Sequence, residues 1–209
     1  LGELTKTYFT IAVSGTHGKS TTTSMIGLLL TKAGLDPTVI VGTKLKEFGP
    51  STSSGSNCRV GKSNYLVIEA DEHFASFLNY HPSIIVLTTI EADHLDYWKT
   101  FQNLLSGFQK YISRLPQNGI LVVNKDDKNI SKILTNNKSQ ITNYKYYSLK
   151  QSEAKKLRKI LKVPGEHNIS NALAALAVAR VLGIQDATSF KALGEFHGTW
   201  RRFEIFQLK

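Results

Sequence analysis

Short apolar runs alternate with amphipathic segments along most of the chain. Runs with the length and β-branched content of buried strands occur at residues 8–14, 38–42, 64–69, 83–89, 119–123 and 141–147. Between several of them the apolar residues have helical spacing, at residues 20–33, about 100–114 and 126–135. This alternation predicts an α/β fold, in which a mostly parallel β-sheet is flanked by helices on both faces.

Two regions depart from this alternation. Residues 43–63 are rich in Ser, Gly, Lys and Asn and lack helical spacing, so we expect a small antiparallel excursion or a mobile loop there. After the last strand, residues 168–181 predict an alanine-rich helix that Gly183 closes, and Asp186 is expected to cap a shorter helix through Leu193. The polar and aromatic stretch 196–209 is typical of the start of a further strand.

The composition is that of a globular protein, with 41% hydrophobic and 20% charged residues among 209. No apolar run approaches the ~20 residues that span a bilayer, and the first residues lack the basic and apolar regions of a signal peptide. The single cysteine, Cys58, excludes an internal disulfide and fits a reducing compartment. We therefore expect a cytoplasmic protein, and the start at Leu1 rather than Met suggests a piece of a longer chain.

The chain is basic, with a formal net charge of +10 from 26 Lys and Arg against 16 Asp and Glu. This charge favours anionic partners, either nucleotides or nucleic acid. Much of the excess lies between residues 145 and 162, where a solvated helix face or a basic loop would also explain it. Because no RNA-binding aromatic motif or recognition helix accompanies the charge, a nucleic-acid-binding module is the weaker hypothesis.

A phosphate-binding loop is predicted between the first strand and the first long helix, where the sequence reads Gly15-Thr16-His17-Gly18-Lys19-Ser20-Thr21. Glycines let backbone N–H groups approach an anion, and the start of a helix adds partial positive charge. Lys19 can reach the outer phosphates of a nucleotide, and the Ser20 hydroxyl can hold Mg²⁺. Val13 stands where the strict P-loop pattern has glycine. We expect Lys19 to contact phosphate and to pack against little else.

Acidic residues follow the strand at residues 64–69. Glu69 ends this strand, and the carboxyl ends of parallel strands are where α/β sheets place ligands. Glu69 is expected to share a magnesium ion with Ser20, because hard cations take carboxylate and phosphate oxygens together. A solvated acidic strand end is the alternative. Asp71 and Glu72 are expected to cap the helix that follows.

A histidine follows the strand at residues 83–89, in the sequence Glu91-Ala92-Asp93-His94-Leu95-Asp96. Three acids flank it, and the strand is parallel to two others that carry candidate site residues. We therefore expect His94 to be a second metal ligand or a phosphate contact. A hydrogen-bonded packing histidine is the alternative.

A further polar cluster opens the alanine-rich helix, where Pro164 and Gly165 lead into Glu166-His167-Asn168-Ile169-Ser170-Asn171. Capping alone would explain Asn168 as the start of the helix and Gly165 as the turn into it. The functional hypothesis places His167, Asn168 and Asn171 around a nucleotide, since asparagine amides can pair with both edges of adenine.

These elements, in this order, resemble the ATP-binding central domain of the Mur ligase family, which makes amide bonds to nucleotide-linked muramic acid in peptidoglycan synthesis. The matching pieces are Gly15–Thr21, Glu69-Ala70-Asp71-Glu72, Glu91-Ala92-Asp93-His94-Leu95-Asp96, Gly165–Asn171 and Gly198-Thr199-Trp200-Arg201-Arg202-Phe203. Folylpolyglutamate synthases share this fold but typically carry Asn at the position of His17. The resemblance implies a P-loop NTPase-like sheet.

The resemblance also implies ATP and Mg²⁺ as cofactors. It implies that Lys19 contacts the ATP phosphates and that Ser20 and Glu69 hold one Mg²⁺. His94 would touch a second metal, and Asn171 would touch adenine. Departures from the family pattern include Thr89 for the usual Asn, and Gln109 at the spacing where other branches carry a carbamylated Lys.

Within the family, His17 and the Glu-Ala-Asp-His sequence are most similar to the branch that joins L-alanine to UDP-N-acetylmuramate through an acyl phosphate. A muropeptide-recycling ligase, which adds a tripeptide instead, is the near alternative. The resemblance implies that residues 1–196 form the central ATP-binding domain and residues 197–209 a hinge and the start of a truncated third domain. Arg202 would touch the nucleotide across this hinge. Ligation by this piece alone is expected to be undetectable.

Overall fold

A computed structural model describes residues 1–49, 55–135 and 143–200 of the chain. Arg202 and the rest of 201–209, including most of the strand expected at 196–209, therefore lie outside the described residues. The described strands are β1 (Phe9–Ser14), β2 (Thr38–Leu45), β3 (Ser56–Arg59), β4 (Tyr65–Glu69), β5 (Ile84–Leu87), β6 (Ile120–Asn124) and β7 (Tyr144–Tyr147).

These strands form one sheet in the order β3-β2-β4-β1-β5-β6-β7. Every neighbouring pair is parallel except β2 and β3, which pair antiparallel. The prediction of a mostly parallel sheet is therefore confirmed, and the segment at 43–63 contains the hairpin excursion rather than only a loop. The last strand was expected at residues 141–147, and its first two residues, 141 and 142, lie outside the described residues.

Helices cover both faces of the sheet. They are α1 (Gly2–Thr7), α2 (Lys19–Lys32), α3 (Leu95–Trp98), α4 (Phe101–Ile112), α5 (Lys128–Thr135), α6 (Glu153–Ile160), α7 (Glu166–Val181) and α8 (Asp186–Gly194). Short 3₁₀ turns lie at Lys46–Phe48 and His73–Asn79. No helix among the described residues is long and apolar enough to cross a membrane.

Two apolar cores result, one on each face of the sheet. In β1 the side chains of Ile11 and Val13 join the core that contains α2, α6, α7 and α8, whereas Ala12 joins the core that contains α4 and α5. All three residues are completely buried. This alternation is the period of two that a strand covered on both faces requires, and it makes β1 the centre of the protein.

Sequence reasoning missed α1, α3 and α6 as defined helices and assigned the wrong N-cap to α8. The basic segment 145–162 contains α6, whose Ala154 and Leu157 are buried, so its lysines lie on the other side of an amphipathic helix. Asp186 is not the N-cap of α8, because Gln185 holds that position and the Asp186 carboxylate pairs with Arg180 instead. Gly183 does end α7, with a φ of 72°.

An arginine joins three helices at their ends. Arg180 of α7 donates two hydrogen bonds to the Asp186 carboxylate of α8, at 2.9 and 2.7 Å, and one to Glu153 of α6, at 2.7 Å. The hydrogen bond from Arg180 lowers the pKa of Asp186 below its usual value. The pKa of Glu153 is lowered by a hydrogen bond from its own backbone and then by Arg180.

We predict that Arg180→Gln lowers the free energy of unfolding by about 1 kcal/mol near neutral pH. Because both carboxyl pKa values are lower in the folded protein, the stabilisation is present above the unfolded pKa values and is lost as the pH falls through the folded ones. The difference between variant and parent should therefore shrink below about pH 4. Urea unfolding of the parent and the variant, near neutral pH and below about pH 4, measures this difference in the free energy of unfolding. Arg114→Gln is the control, since Arg114 has no ion pair among the described residues; an equal loss at both pH values would contradict the prediction.

Candidate active site

The site lies at the carboxyl edge of the three central strands. Because β1 is hydrogen-bonded to β4 on one side and to β5 on the other, all in parallel, the segments that follow these strands lie side by side. These segments are the predicted phosphate loop after Ser14, the acidic segment that begins at Glu69, and the segment from Thr88 to Asp96. Strand order thus brings together the groups that the sequence places far apart.

Two glycines shape the phosphate loop. Gly15 has a φ of 129° and Gly18 a φ of 85°, both in the region that disfavours other residues. A Cβ at Gly15 would collide with Thr88 and with the backbone of Thr89, and one at Gly18 would collide with the Asn171 amide. Gly18 is the N-cap of α2, so the backbone N–H groups at the start of this helix have no intrahelical partner and can bind an anion.

The end of β5 holds the loop in place. The Thr88 hydroxyl donates to the His17 carbonyl at 2.6 Å, and the Thr89 hydroxyl accepts from the His17 N–H at 3.2 Å. The Thr89 carbonyl accepts from the Thr16 N–H at 2.8 Å. Thr89, which replaces the family's usual Asn, therefore makes a polar contact with the loop. The N–H groups of Thr16 and His17 are used in these contacts, which leaves the N–H groups at the start of α2 for the predicted contact with an anion.

Lys19 forms a buried ion pair with Glu72. Its ammonium Nζ lies 2.9 Å from Glu72 Oε2 and 3.9 Å from Asp71 Oδ2. Lys19 is 8% exposed and Glu72 is 0% exposed. The expectation that Lys19 packs against little else is therefore wrong. The expectation that Glu72 caps a helix is wrong as well, since its side chain makes no cap hydrogen bond.

Asp71 has the capping role that the sequence suggested. Its carboxylate accepts a hydrogen bond from the His73 N–H at 2.8 Å, at the start of the 3₁₀ turn His73–Asn79. Its carbonyl accepts from the Ser76 hydroxyl at 2.9 Å. These bonds fix the path of the chain that carries Glu72 inward.

Ser20 and Glu69 lie together, as expected for two ligands of one ion. The Ser20 hydroxyl donates to Glu69 Oε1 at 2.8 Å, and Glu69 Oε2 accepts from the Gly42 N–H at 2.7 Å. A hydroxyl beside a carboxylate is an oxygen donor set of the kind that Mg²⁺ prefers. The residues therefore fit this ion, and their metal role stays a prediction.

A cavity of about 640 Å³ opens above the start of α2. The predicted site residues that line it are Thr16, His17, Gly18, Lys19, Thr21, Glu69, His167, Asn168 and Asn171. Asp71, Phe196 and Thr199 line it as well, and the sequence analysis did not assign them to the site. Gly15, Ser20 and His94 are not lining residues, and Arg202 lies outside the described part of the chain.

The N-terminus of α7 forms the opposite wall. Gly165, with a φ of 97°, is its N-cap, so Asn168 lies within the first turn rather than at the start of the helix. The Asn168 amide donates to the Pro164 carbonyl at 2.6 Å, and Asn171 donates to Asn168 at 3.4 Å. Both asparagines are buried beside the loop. Their proposed contact with adenine remains a prediction.

His94 is connected to Lys19 by the carboxylate of Glu72, which lies near both side chains. Its Nε2 lies 4.0 Å from Glu72 Oε1 and 3.9 Å from Asp93 Oδ2. Glu72 therefore stands between His94 and Lys19. This connection was not predicted, because its only sequence signal is the second acid after β4, and the burial of that acid depends on strand order.

A family model described as the Mur ligase middle domain matches residues 13–179. Among similar proteins, the chain is 42% identical to the UDP-N-acetylmuramate--L-alanine ligase of Caldicellulosiruptor saccharolyticus, over 98% of this chain and 48% of that protein. It is 41% identical to the protein of the same name from Thiobacillus denitrificans, over 99% of this chain and 48% of that protein. The chain thus spans about half the length of the curated relatives it matches.

Solved structures agree with the fold. The UDP-N-acetylmuramate:L-alanyl-gamma-D-glutamyl-meso-diaminopimelate ligase from Neisseria meningitides superposes with a TM-score of 0.81 at 25% identity, over 96% of this chain and 70% of that one. The UDP-N-acetylmuramate-alanine ligase from Thermotoga maritima gives a TM-score of 0.75 at 26% identity, over 95% of this chain and 47% of that one. This chain belongs to the Mur ligase family, whose middle domain its residues 13–179 match.

Proposed function

We propose that this chain is the nucleotide-binding part of an ATP-dependent ligase that joins L-alanine to UDP-N-acetylmuramate in the cytoplasm. The observation that carries this proposal is the arrangement of Lys19, Ser20 and Glu69 around one glycine-shaped loop at the N-terminus of α2. The choice of L-alanine is supported by relatives that are about 40% identical and are themselves UDP-N-acetylmuramate--L-alanine ligases.

In the proposed reaction, a carboxylate oxygen of the muramoyl group takes the γ-phosphoryl group of ATP, and ADP leaves. The amine nitrogen of L-alanine then attacks the acyl-phosphate carbon, inorganic phosphate leaves, and the nitrogen loses a proton to water. Magnesium, when bound, neutralises charge on the phosphates. Lys19 adds an ammonium and α2 adds N–H donors, and phosphoryl transfer depends mainly on such positioning and charge neutralisation.

The remaining expected contacts belong to the same proposal. His167, Asn168 and Asn171 would surround the adenine, and His94 would bind a second cation. The boundary near residue 196, with Arg202 in a hinge beyond it, would let a further domain close over the nucleotide. The segment that ends at Trp200 supports this position of the hinge beside the site. The Trp200 N–H donates to the Lys44 carbonyl, and Thr199 lines the cavity.

We predict that Lys19→Ala loses both ATP affinity and stability. The loss of stability should be about 3–5 kcal/mol, because the variant leaves the Glu72 carboxylate buried without a partner. A double variant, Lys19→Met with Glu72→Gln, removes both charges and should recover most of the stability while still failing to bind ATP. Urea unfolding and calorimetric titration with ATP and Mg²⁺ measure the two effects separately.

The matched control is Lys6→Ala, because Lys6 forms an ion pair of 2.7 Å with Glu3 on the surface. Exposed pairs contribute little, so this variant should keep both its stability and its ATP affinity. If the double variant bound ATP as tightly as the parent, Lys19 would not be a phosphate contact.

A second prediction concerns the cation. Glu69→Gln should weaken ATP binding in the presence of Mg²⁺ by about tenfold or more, with a smaller effect when a chelator removes the ion. In Gln the amide oxygen can still accept from the Gly42 N–H, and the amide NH₂ can donate to the Ser20 hydroxyl oxygen, so the local structure should persist. Calorimetry with and without Mg²⁺ tests this, with Glu3→Gln as an exposed acidic control outside the cavity. Equal losses under both conditions would make Glu69 a structural residue only.

The activity itself is tested on the full-length protein that contains this chain. With ATP, Mg²⁺, UDP-N-acetylmuramate and L-alanine, we expect ADP release and an amide product in mass spectrometry. Replacing L-alanine with the tripeptide tests the second candidate, which the superposition on the Neisseria meningitides ligase supports. A product from the tripeptide alone would favour that candidate. Binding of random DNA with a steep salt dependence and no ligation would favour a nucleic-acid module.

A further inference from the structure

Two histidines from separate segments face each other beside the site. The rings of His73 and His94 are stacked, with centroids 4.2 Å apart and planes inclined by 9°. Asp96 lies next to them, with its Oδ2 at 3.9 Å from His73 Nε2. One ligand atom from each of these residues lies within 4.8 Å of the other two. The function proposed above makes no use of His73.

The free nitrogen of His73 needs a partner. Its Nε2 is buried and has no hydrogen-bond partner among the described residues. Buried polar atoms without partners are rare in folded proteins. The lone pair of a neutral imidazole nitrogen is a common ligand of divalent transition metals, so a metal would satisfy this atom.

The surroundings favour a cation. Glu72 is fully buried, and its Oε1 lies 4.0 Å from His94 Nε2 without a hydrogen-bond partner in the described residues. Asp93 Oδ2 lies 3.9 Å from the same histidine nitrogen. Three carboxylates therefore surround two imidazoles, and Lys19 neutralises only the far oxygen of Glu72.

The backbone holds both histidines in an unusual arrangement. Phe74, Ala75, His94 and Lys99 have φ values of 52°, 53°, 51° and 65°, in a region that residues other than glycine rarely adopt. Among the described residues only Asp36 shares this feature. Such strain concentrates at functional positions. Here it occurs at His94 itself and at the two residues that directly follow His73.

We propose that His73, His94 and Asp96 bind a transition-metal ion such as Zn²⁺ or Co²⁺. Two imidazoles and a carboxylate suit these ions better than Mg²⁺, which prefers oxygen ligands alone. Imidazole nitrogens bind zinc at about 2.1 Å, so the stacked rings must tilt to share one ion. The site needs no nucleotide and does not use the magnesium ligands Ser20 and Glu69. It shares His94 with the second cation of the function proposed above, so it rests on that assignment and adds His73 and Asp96 to it.

The test is a Co²⁺ titration of the chain without a purification tag, in excess Mg²⁺ and without nucleotide, followed by visible absorption. We expect one bound Co²⁺ per chain. His73→Ser and His94→Ser should each weaken Co²⁺ binding by about tenfold or more. His81→Ser is the control, because His81 is exposed to solvent and lies outside the cluster. Binding of Co²⁺ by His73→Ser with the affinity of the parent would overturn the proposal.

A second measurement needs no variant and remains decisive if His73→Ser does not fold. In NMR spectra of the unsubstituted chain, Co²⁺ should shift the ring signals of His73 and His94 far more than those of the other four histidines. Unshifted His73 signals at saturating Co²⁺ would also overturn the proposal. Normal ATP binding with no Co²⁺ site would refute this inference alone, whereas Co²⁺ binding without ATP binding would refute only the function proposed above.

Discussion

The position of β1 between β4 and β5 is the constraint on which the site depends. Parallel pairing on both sides brings the carboxyl ends of these three strands to one edge, and each strand end carries a different chemical group. A register shift in either pair would separate Lys19 from Glu72 or the loop from Thr88. Because residues 10–14 of β1 are completely buried, with side chains on both faces of the sheet, its register is strongly fixed by packing.

The buried pair of Lys19 and Glu72 follows from this arrangement. Removing two charges from water is costly, and mutual attraction offsets the cost only when the geometry is good. The distance of 2.9 Å meets that condition, and Glu72 still keeps one oxygen directed toward His94. Because the attraction and the cost of desolvation largely cancel, we expect the net gain in stability from the pair to be small. The main effect of Glu72 is then to hold the Lys19 ammonium at the mouth of the loop.

Two donor sets of different chemistry lie on either side of this pair. Ser20 and Glu69 offer oxygen atoms, whereas His73 and His94 offer nitrogen atoms. Cations differ in their preference for these donors. The arrangement therefore allows the two positions to take different ions, with Glu72 connecting the lysine to the imidazole side.

The sequence by itself determined the α/β class, most of the helix and strand positions, and the phosphate loop, because hydrophobic period and glycine chemistry are local properties. It also placed Ser20 with Glu69, because the phosphate-loop pattern supplies the hydroxyl and the end of a parallel strand supplies the carboxylate. Only the tertiary structure decided the burial of Glu72, the bracing by Thr88 and Thr89, and the stacking of His73 on His94. Those contacts depend on which strands are neighbours and on how the segments after them turn, and no local pattern of residues encodes either.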